Sequence, residues 1–294
     1  MDKKGKGDSR GSGTPKDGRG NTRRPPARHF DPGGKKESVS GMSDDRAEGM
    51  IEGRNAVIEA LRAGIPVDKV FITKGETDTS LNYIASMARA AGVVVSNVDR
   101  RKLDSMSTTH SHQGVIASAA CAKYVTVGDI LEIAKKRGES PLIVLCDEIS
   151  DPHNLGAIIR TCEAAGAHGV IIPKNRSAGL TATVAKASSG AVYHTAIARV
   201  TNLTAAIREL KDAGVWIFGA STDGGTVLWQ ATFDGPAAIV IGSEGAGISR
   251  LVSENCDVKI NIPMHGKIAS LNASVSAAIL LYEAVRQRRQ GLVI

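Results

Sequence analysis

The sequence predicts an α/β protein built in two parts, and three observations carry that prediction. From residue 50 onward, short apolar runs alternate with segments of helical period. From residue 141 those runs become almost unbroken in Val, Ile, Leu and Ala, the pattern of parallel strands buried on both faces. Before residue 49 the chain has very few large apolar residues.

That first stretch, residues 1–48, is rich in Gly, Pro, Ser, Lys, Arg and Asp. It cannot bury enough surface to offset its ordering entropy, so it is expected to be a disordered basic tail. It holds twelve Lys/Arg and eight Asp/Glu, a surplus of four within the chain's net charge of +7. Two readings of it stand together: an arm that touches nucleic acid, and a solubilising leader. The start, "MDKKGKGDSR", has no apolar h-region and is not expected to be a secretory signal. No run of eighteen apolar residues exists, so no membrane span is expected. Aromatic residues make up 3% of the chain, which argues against aromatic base-stacking platforms. Cys121, Cys146, Cys162 and Cys256 form no CxxC pair and read as reduced thiols in a cytoplasmic protein.

Residues 49–124 read as a compact α/β unit. In "GRNAVIEALRAG", Val57, Ile58 and Leu61 keep helical spacing, and Gly64 ends the helix. "KVFIT" is a strand, "TSLNYIASMARAAG" a helix, "VVVSNV" a buried-type strand and "GVIASAA" a third strand. Residues 125–140, "VTVGDILEIAKKRGES", read as a linker helix closed by Pro141. In residues 141–294 the strands "LIVLCDE", "GVIIP", "VWIFGAS", "AAIVIGSE" and "VKINIP" alternate with helices.

Ligands of open parallel sheets bind beyond the carboxyl ends of the strands, so the residues that follow each strand are the candidates. After "LIVLCDE" comes "ISDPHNLGAIIRTCEAAG". Here Asn154 is expected to cap a helix over 155–165, and from the preceding loop it could converge with Arg160; a plain cap and a solvated Arg is the blander reading. After "AAIVIG" comes "SEGAGIS"; glycines 242, 245 and 247 across the junction allow a tight turn. It is neither GxGxxG nor a P-loop, and Glu244 there suits a cationic or neutral ligand better than a phosphate. After "VKINIP" comes "MHGKIASLNAS", leading into a helix that runs to about Arg289. Ser270, Asn272, Ser274 and Ser276 crowd its start. Val275, Ala278, Ile279 and Tyr282 form one apolar stripe, and Ala277, Leu280, Leu281 and Ala284 another, so the helix is expected to be covered on two sides. "HSHQG" at 110–114 has a metal-like spacing without a ligand cluster and reads as a loop. No metal site is expected.

Three of these segments together, "DPHNLGAIIRT", "IVIGSEGAGIS" and "IPMHGKIASLNASVSAAILLYEA", resemble the three signature motifs of the SpoU/TrmH family of RNA ribose 2′-O-methyltransferases. "IEGRNAVIEALRAG" and "STTHSHQGVIA" resemble the L30e-like substrate-binding domain of family members that methylate a guanosine ribose in the peptidyl-transferase loop of 23S rRNA. The resemblance spans about residues 49–290. It implies a SPOUT-class α/β domain with a parallel sheet and a deep trefoil knot, S-adenosylmethionine as methyl donor, 23S rRNA as partner and a homodimer through the C-terminal domain. Residue by residue, it implies catalytic roles for Asn154, Arg160, Glu244, Ser270 and Asn272. It places Gly242, Ile262 and Leu271 around the cofactor.

Methyl transfer from a sulfonium is an in-line displacement, so alignment of the 2′-oxygen is the main task of the site. A guanidinium keeps its proton, so Arg160 is expected to clamp a phosphate rather than act as the base. Asn154 and Asn272 would orient groups around the ribose, with Glu244 holding Asn154 or Arg160. Ser270 as a mere helix cap is the competing account of the polar helix start. At the level of function, methylation of another rRNA or tRNA nucleotide, or a non-catalytic RNA-binding or ribosome-assembly role, stands as the alternative.

Overall fold

In a computed structural model the described residues are 49–75, 78–222 and 224–289. The tail of residues 1–48 lies outside them. No helix among the described residues is long and apolar enough to cross a membrane.

The front part runs β1 (Met50–Glu52), α1 (Arg54–Arg62), β2 (Val67–Thr73), α2 (Thr79–Ala90), β3 (Val94–Val98), α3 (Arg100–Met106) and β4 (Val115–Ala119). Its sheet has the order β1-β4-β2-β3, with β4 antiparallel to both neighbours and β2 parallel to β3. Val57, Leu81 and Ile84 pack α1 and α2 against Val70, Val115 and Ala117 on one face. Asp78 starts α2 by accepting from the Ser80 amide at 2.8 Å. β3, expected as a buried-type strand, lies at the sheet edge and is half-buried. Among the described residues no strand pairs with its outer edge.

The second part begins with α4 (Val127–Arg137). Thr126 and Asp129 form a capping box at its start, and Gly138 at φ 66° ends it. There follow β5 (Leu142–Cys146), α5 (Pro152–Ala165), β6 (Gly169–Pro173), α6 (Ala182–Ala187), β7 (Ile197–Val200), α7 (Leu203–Asp212), β8 (Trp216–Ala220), β9 (Thr226–Val227), β10 (Ala237–Ile241), α8 (Arg250–Glu254), β11 (Val258–Asn261) and α9 (Ala273–Arg289). These strands form one parallel sheet in the order β7-β6-β5-β10-β8-β11-β9.

Helices cover both faces, which is why β5 and β10 are apolar at every position. Leu155 and Ile158 of α5, Val184 of α6 and Leu280 of α9 pack one face. Ile130 of α4, Ile207 and Leu210 of α7 and Val252 of α8 pack the other. β10 enters between β5 and β8 after both have been laid down. That order is consistent with the knot the family resemblance implies. Ala277, Leu280, Leu281 and Ala284 make the buried stripe of α9, whereas Val275 and Tyr282 are about half exposed at 45% and 51%. Ala278 and Ile279 of the second stripe are partly buried, Ile279 against the core, so among the described residues only the two ends of that stripe stand open.

Candidate active site

The carboxyl ends of β10, β8 and β11 lie side by side, and the loops that leave them enclose a cavity of about 510 Å³. Gly242, Glu244, Ile262, Ser270 and Leu271 all line it. The turn after β10 closes on itself through reciprocal Ser243–Gly247 backbone hydrogen bonds of 3.0 and 2.9 Å. Gly242 is required there for space. A Cβ at that position would lie 2.1 Å from the Gly247 carbonyl carbon and 2.2 Å from the Ile248 nitrogen. Asp147, buried at the end of β5, accepts from the Ser249 amide at 2.7 Å and ties the far end of the same turn.

Beside the cavity, three polar side chains from three distant segments meet. Asn154 Nδ2 donates to Glu244 Oε1 at 3.1 Å, and Asn272 Nδ2 donates to Asn154 Oδ1 at 2.9 Å. Asn272 Nδ2 also bonds Glu244 Oε1. Asn154 is 9% exposed, so its amide is fixed in place by these partners. Glu244 stands exposed at the cavity wall, supplying a carboxylate to a site without an anion-binding loop.

Two local expectations are corrected. α5 starts at Pro152, and its cap is Asp151, which accepts from the His153 amide at 3.0 Å; Asn154 lies inside the first turn and is not the cap. Proline at the first helical position, preceded by Asp, is the sequence signal for this start. In consequence Asn154 and Arg160 occupy one continuous helix, separated by about 9 Å of rise and about 120° of rotation. Arg160 therefore does not join the cluster: it is exposed and donates to Ser189 Oγ at 3.0 Å. Likewise Ser270 does not cap the last helix. Asn272 does, accepting from the Ser274 and Val275 amides at 3.0 and 3.3 Å, while Ser270 faces the cavity from the preceding loop. The partner of Glu244 is Asn154 together with Asn272, and not Arg160.

The "HSHQG" loop is held by bonds within the front part. His112 Nδ1 accepts from the Gly114 amide at 3.0 Å, and its Nε2 lies 2.9 Å from Asp104. The Glu52 carboxylate gathers Ser107, Thr108 and Thr109. Burial pushes that carboxyl up, but the hydrogen bonds from Ser107, Thr109 and Thr108 outweigh it and bring it down to about 2.

Comparison with known proteins decides the family. The sequence model described as the SpoU rRNA methylase family matches residues 141–282, and that for RNA 2′-O ribose methyltransferase substrate binding matches residues 50–125. The chain belongs to the SpoU/TrmH family. It is 44% identical over 238 residues to the TrmH family tRNA/rRNA methyltransferase YacO of Bacillus subtilis, covering 81% of this chain and 95% of that one. A tRNA/rRNA methyltransferase of Mycolicibacterium vanbaalenii is 43% identical, with 82% and 77% covered. Among solved structures, the AdoMet-bound rRNA methyltransferase from Sinorhizobium meliloti is 26% identical with a TM-score of 0.52, covering 83% of this chain and 88% of that one. The SpoU methyltransferase AviRb from Streptomyces viridochromogenes, in complex with AdoMet, is 26% identical with a TM-score of 0.51 over 81% and 90%.

The cavity fits the family's methyl donor by its own chemistry. Its volume of about 510 Å³ is within the ordinary range for small-molecule sites, about 300–1,000 Å³. Backbone groups of the β10 turn and of the loop around Leu271 suit an adenosine, and the Glu244 carboxylate suits a cationic sulfonium.

Proposed function

We propose that this enzyme methylates the 2′-oxygen of a guanosine ribose in the peptidyl-transferase loop of 23S rRNA, as RlmB-type members of its family do. As a SpoU/TrmH enzyme the chain is an S-adenosylmethionine-dependent RNA 2′-O-methyltransferase. The observation that carries the assignment of the site is the meeting of Asn154, Glu244 and Asn272 beside the cavity at the sheet's carboxyl edge. The choice of rRNA rests on the resemblance of the front unit to an L30e-like domain; the model matched over residues 50–125 supports an RNA substrate without naming its class.

S-adenosylmethionine, when bound, supplies the electrophilic methyl group. The chain's own residues do the rest. Gly242, Ile262 and Leu271 would hold the cofactor by backbone and apolar contacts. Asn272 and Glu244 fix Asn154, whose second Nδ2 hydrogen would be left to orient the ribose. An aligned bimolecular step gains up to roughly 7–11 kcal/mol in favourable cases, so positioning alone is a sufficient task for them. Ser270, on the cavity wall, is placed to touch cofactor or ribose. Arg160, exposed on α5, would clamp an RNA phosphate. Two copies would pair in the cytoplasm through α9, where Val275 and Tyr282 are about half exposed among the described residues.

Mapping 2′-O-methyl groups across rRNA and tRNA from a strain lacking the gene tests the target. Loss at one guanosine of the 23S peptidyl-transferase loop is the expected result. Intact 23S methylation with a loss in tRNA would replace this target with tRNA, which the tRNA/rRNA names of its relatives equally allow.

A further inference from the structure

A second cavity, of about 490 Å³, separates the front sheet from the second part of the chain. Met50 and Ser118 of the front sheet and Lys102 of α3 line one wall; Pro152, Gly179 and Thr183 line the other. Ser118 is 8% exposed, and its hydroxyl makes no hydrogen bond among the described residues. That hydroxyl still reaches solvent, since Arg199 Nε is the one fully buried side-chain nitrogen or oxygen without a partner among the described residues, so it is free to bond a group that enters the cavity. Among the described residues, Lys102 at the rim has no ion-pair partner and no carboxylate lines the cavity. That charge balance favours an anionic occupant. Beside these groups, the Met50 and Met106 side chains supply soft apolar surface of the kind that packs well on an aromatic face.

The walls are also held at a fixed separation. Asp68 of the front part pairs with Arg199 of β7 at 3.0 Å, with both side chains almost fully buried, and accepts from the Tyr124 hydroxyl at 2.7 Å. Gly179 of the far wall lies so close to Asp68 that a Cβ there would be 2.1 Å from both carboxylate oxygens. The cavity is thus a preformed slot. Pro152 in its wall and Asn154 in the polar cluster are the first and third residues of α5. Two residues apart, they face opposite sides of one helical turn, so slot and cluster are separated by about a helix diameter, ~10 Å.

We infer that this slot receives a nucleotide of the RNA substrate adjoining the methylated one, with its phosphate on Lys102, its ribose hydroxyls toward Ser118 and Thr183, and its base against Met50 and Met106. The inference rests on the RNA methyltransferase reading above and adds a second contact point to it. Phosphate contacts set the register of a nucleic acid on a protein, so the slot would fix which ribose reaches Asn154 and Asn272.

The test uses the full-length protein with 23S rRNA, 16S rRNA and bulk tRNA from a strain lacking the gene, and tritiated S-adenosylmethionine. Lys102→Ala is expected to raise KM for the accepted RNA about tenfold, the size of one lost charge-assisted contact. It should lower the slope of log affinity against log salt by about 0.7, and leave the Kd for S-adenosylmethionine unchanged. In wild-type protein, the accepted RNA should protect Lys102 from amine acetylation, read by mass spectrometry, so the result does not depend on the variant folding. An unchanged KM and salt slope, or acetylation of Lys102 at the same rate with and without RNA, overturns the slot while leaving the enzyme's activity standing. Wild-type protein that methylates none of these RNAs overturns the activity reading, and the slot with it.

Discussion

Replacing Asp68 by alanine should expose how tightly the two parts of the chain are joined. The Asp68 and Arg199 side chains are 9% and 7% exposed, so solvent screens their interaction little. Without the carboxylate, the Arg199 guanidinium keeps only two carbonyl acceptors, Asp68 O at 2.8 Å and Lys174 O at 3.4 Å. Its Nε already has no partner, the only such buried side-chain nitrogen or oxygen among the described residues. Tyr124 loses its acceptor, although its oxygen still receives the Leu180 amide at 3.1 Å. Removing one member of a buried pair typically costs about 3–5 kcal/mol, because the other charge is left without compensation. Asp68→Ala should therefore fall in that range in urea unfolding, followed by circular dichroism and by Trp216 and Trp229 fluorescence so that non-coincident transitions are seen. Arg199→Met added to Asp68→Ala should recover about 2 kcal/mol or more, since an apolar replacement of the whole pair is often neutral. Gly179→Ala should imitate the single loss by pushing the carboxylate off Arg199. A cost below about 1 kcal/mol for Asp68→Ala, or a double mutant that is no better than it, would show that this pair does not join the parts.

Four further outcomes are expected. Gly242→Ala drives a methyl group into the Gly247–Ile248 backbone, a clash worth about 1–3 kcal/mol, and calorimetry should show S-adenosylmethionine affinity falling about tenfold or more. Asn272→Ser keeps an oxygen that can cap α9 but no amide for Asn154 and Glu244, so it should hold thermal stability near wild type and cut methyl transfer by about a hundredfold; Asn272→Ala should lose both. Arg160→Ala should slow turnover with S-adenosylmethionine binding intact, and wild-type turnover would remove Arg160 from the reaction. Glu52 has a folded-state carboxyl at about 2, below its ordinary 4.5, so its hold on residues 107–109 is complete above about pH 4.5 and is lost as pH falls toward 2; amide exchange of Thr108 should accelerate across that window and not above it.

The sequence made the central strands legible because β5 and β10 lie between two helical layers and must be apolar throughout. Three of the edge strands left no such run: β1 has three residues and β9 two, and β7 packs only half its length, whereas β3, also at an edge, was legible from its valines. The three loops of the site were legible as motifs; they leave β5, β10 and β11, and their meeting follows from the sheet order β5-β10-β8-β11. The start of α5 was misread because Asp151 and Asn154 are both good caps; the proline between them is what decides it. The Asp68–Tyr124–Arg199 cluster left no trace in the sequence. In "VDKVFIT" the aspartate looks like the solvent-facing residue of an alternating strand, and only the packing of a segment 131 residues away turns it inward.

Why Asn occupies position 272 follows from its chemistry. At that point the chain must cap a 17-residue helix and also reach two polar groups from other segments. The cap requires an acceptor, since the Ser274 and Val275 amides donate. The reach to Asn154 Oδ1 and Glu244 Oε1 requires a donor, since a carbonyl and a carboxylate accept. An aspartate offers no donor, and a serine hydroxyl is too short to serve both ends. A carboxamide has one of each, 180° apart in function on a single planar group. Once its oxygen is committed to the helix, its nitrogen can only face the cluster, so the rotamer that caps α9 is the one that orders the site. The polar start of an otherwise apolar helix is then a single device: the fold's last helix cannot be set down correctly without also aligning the two amides against Glu244.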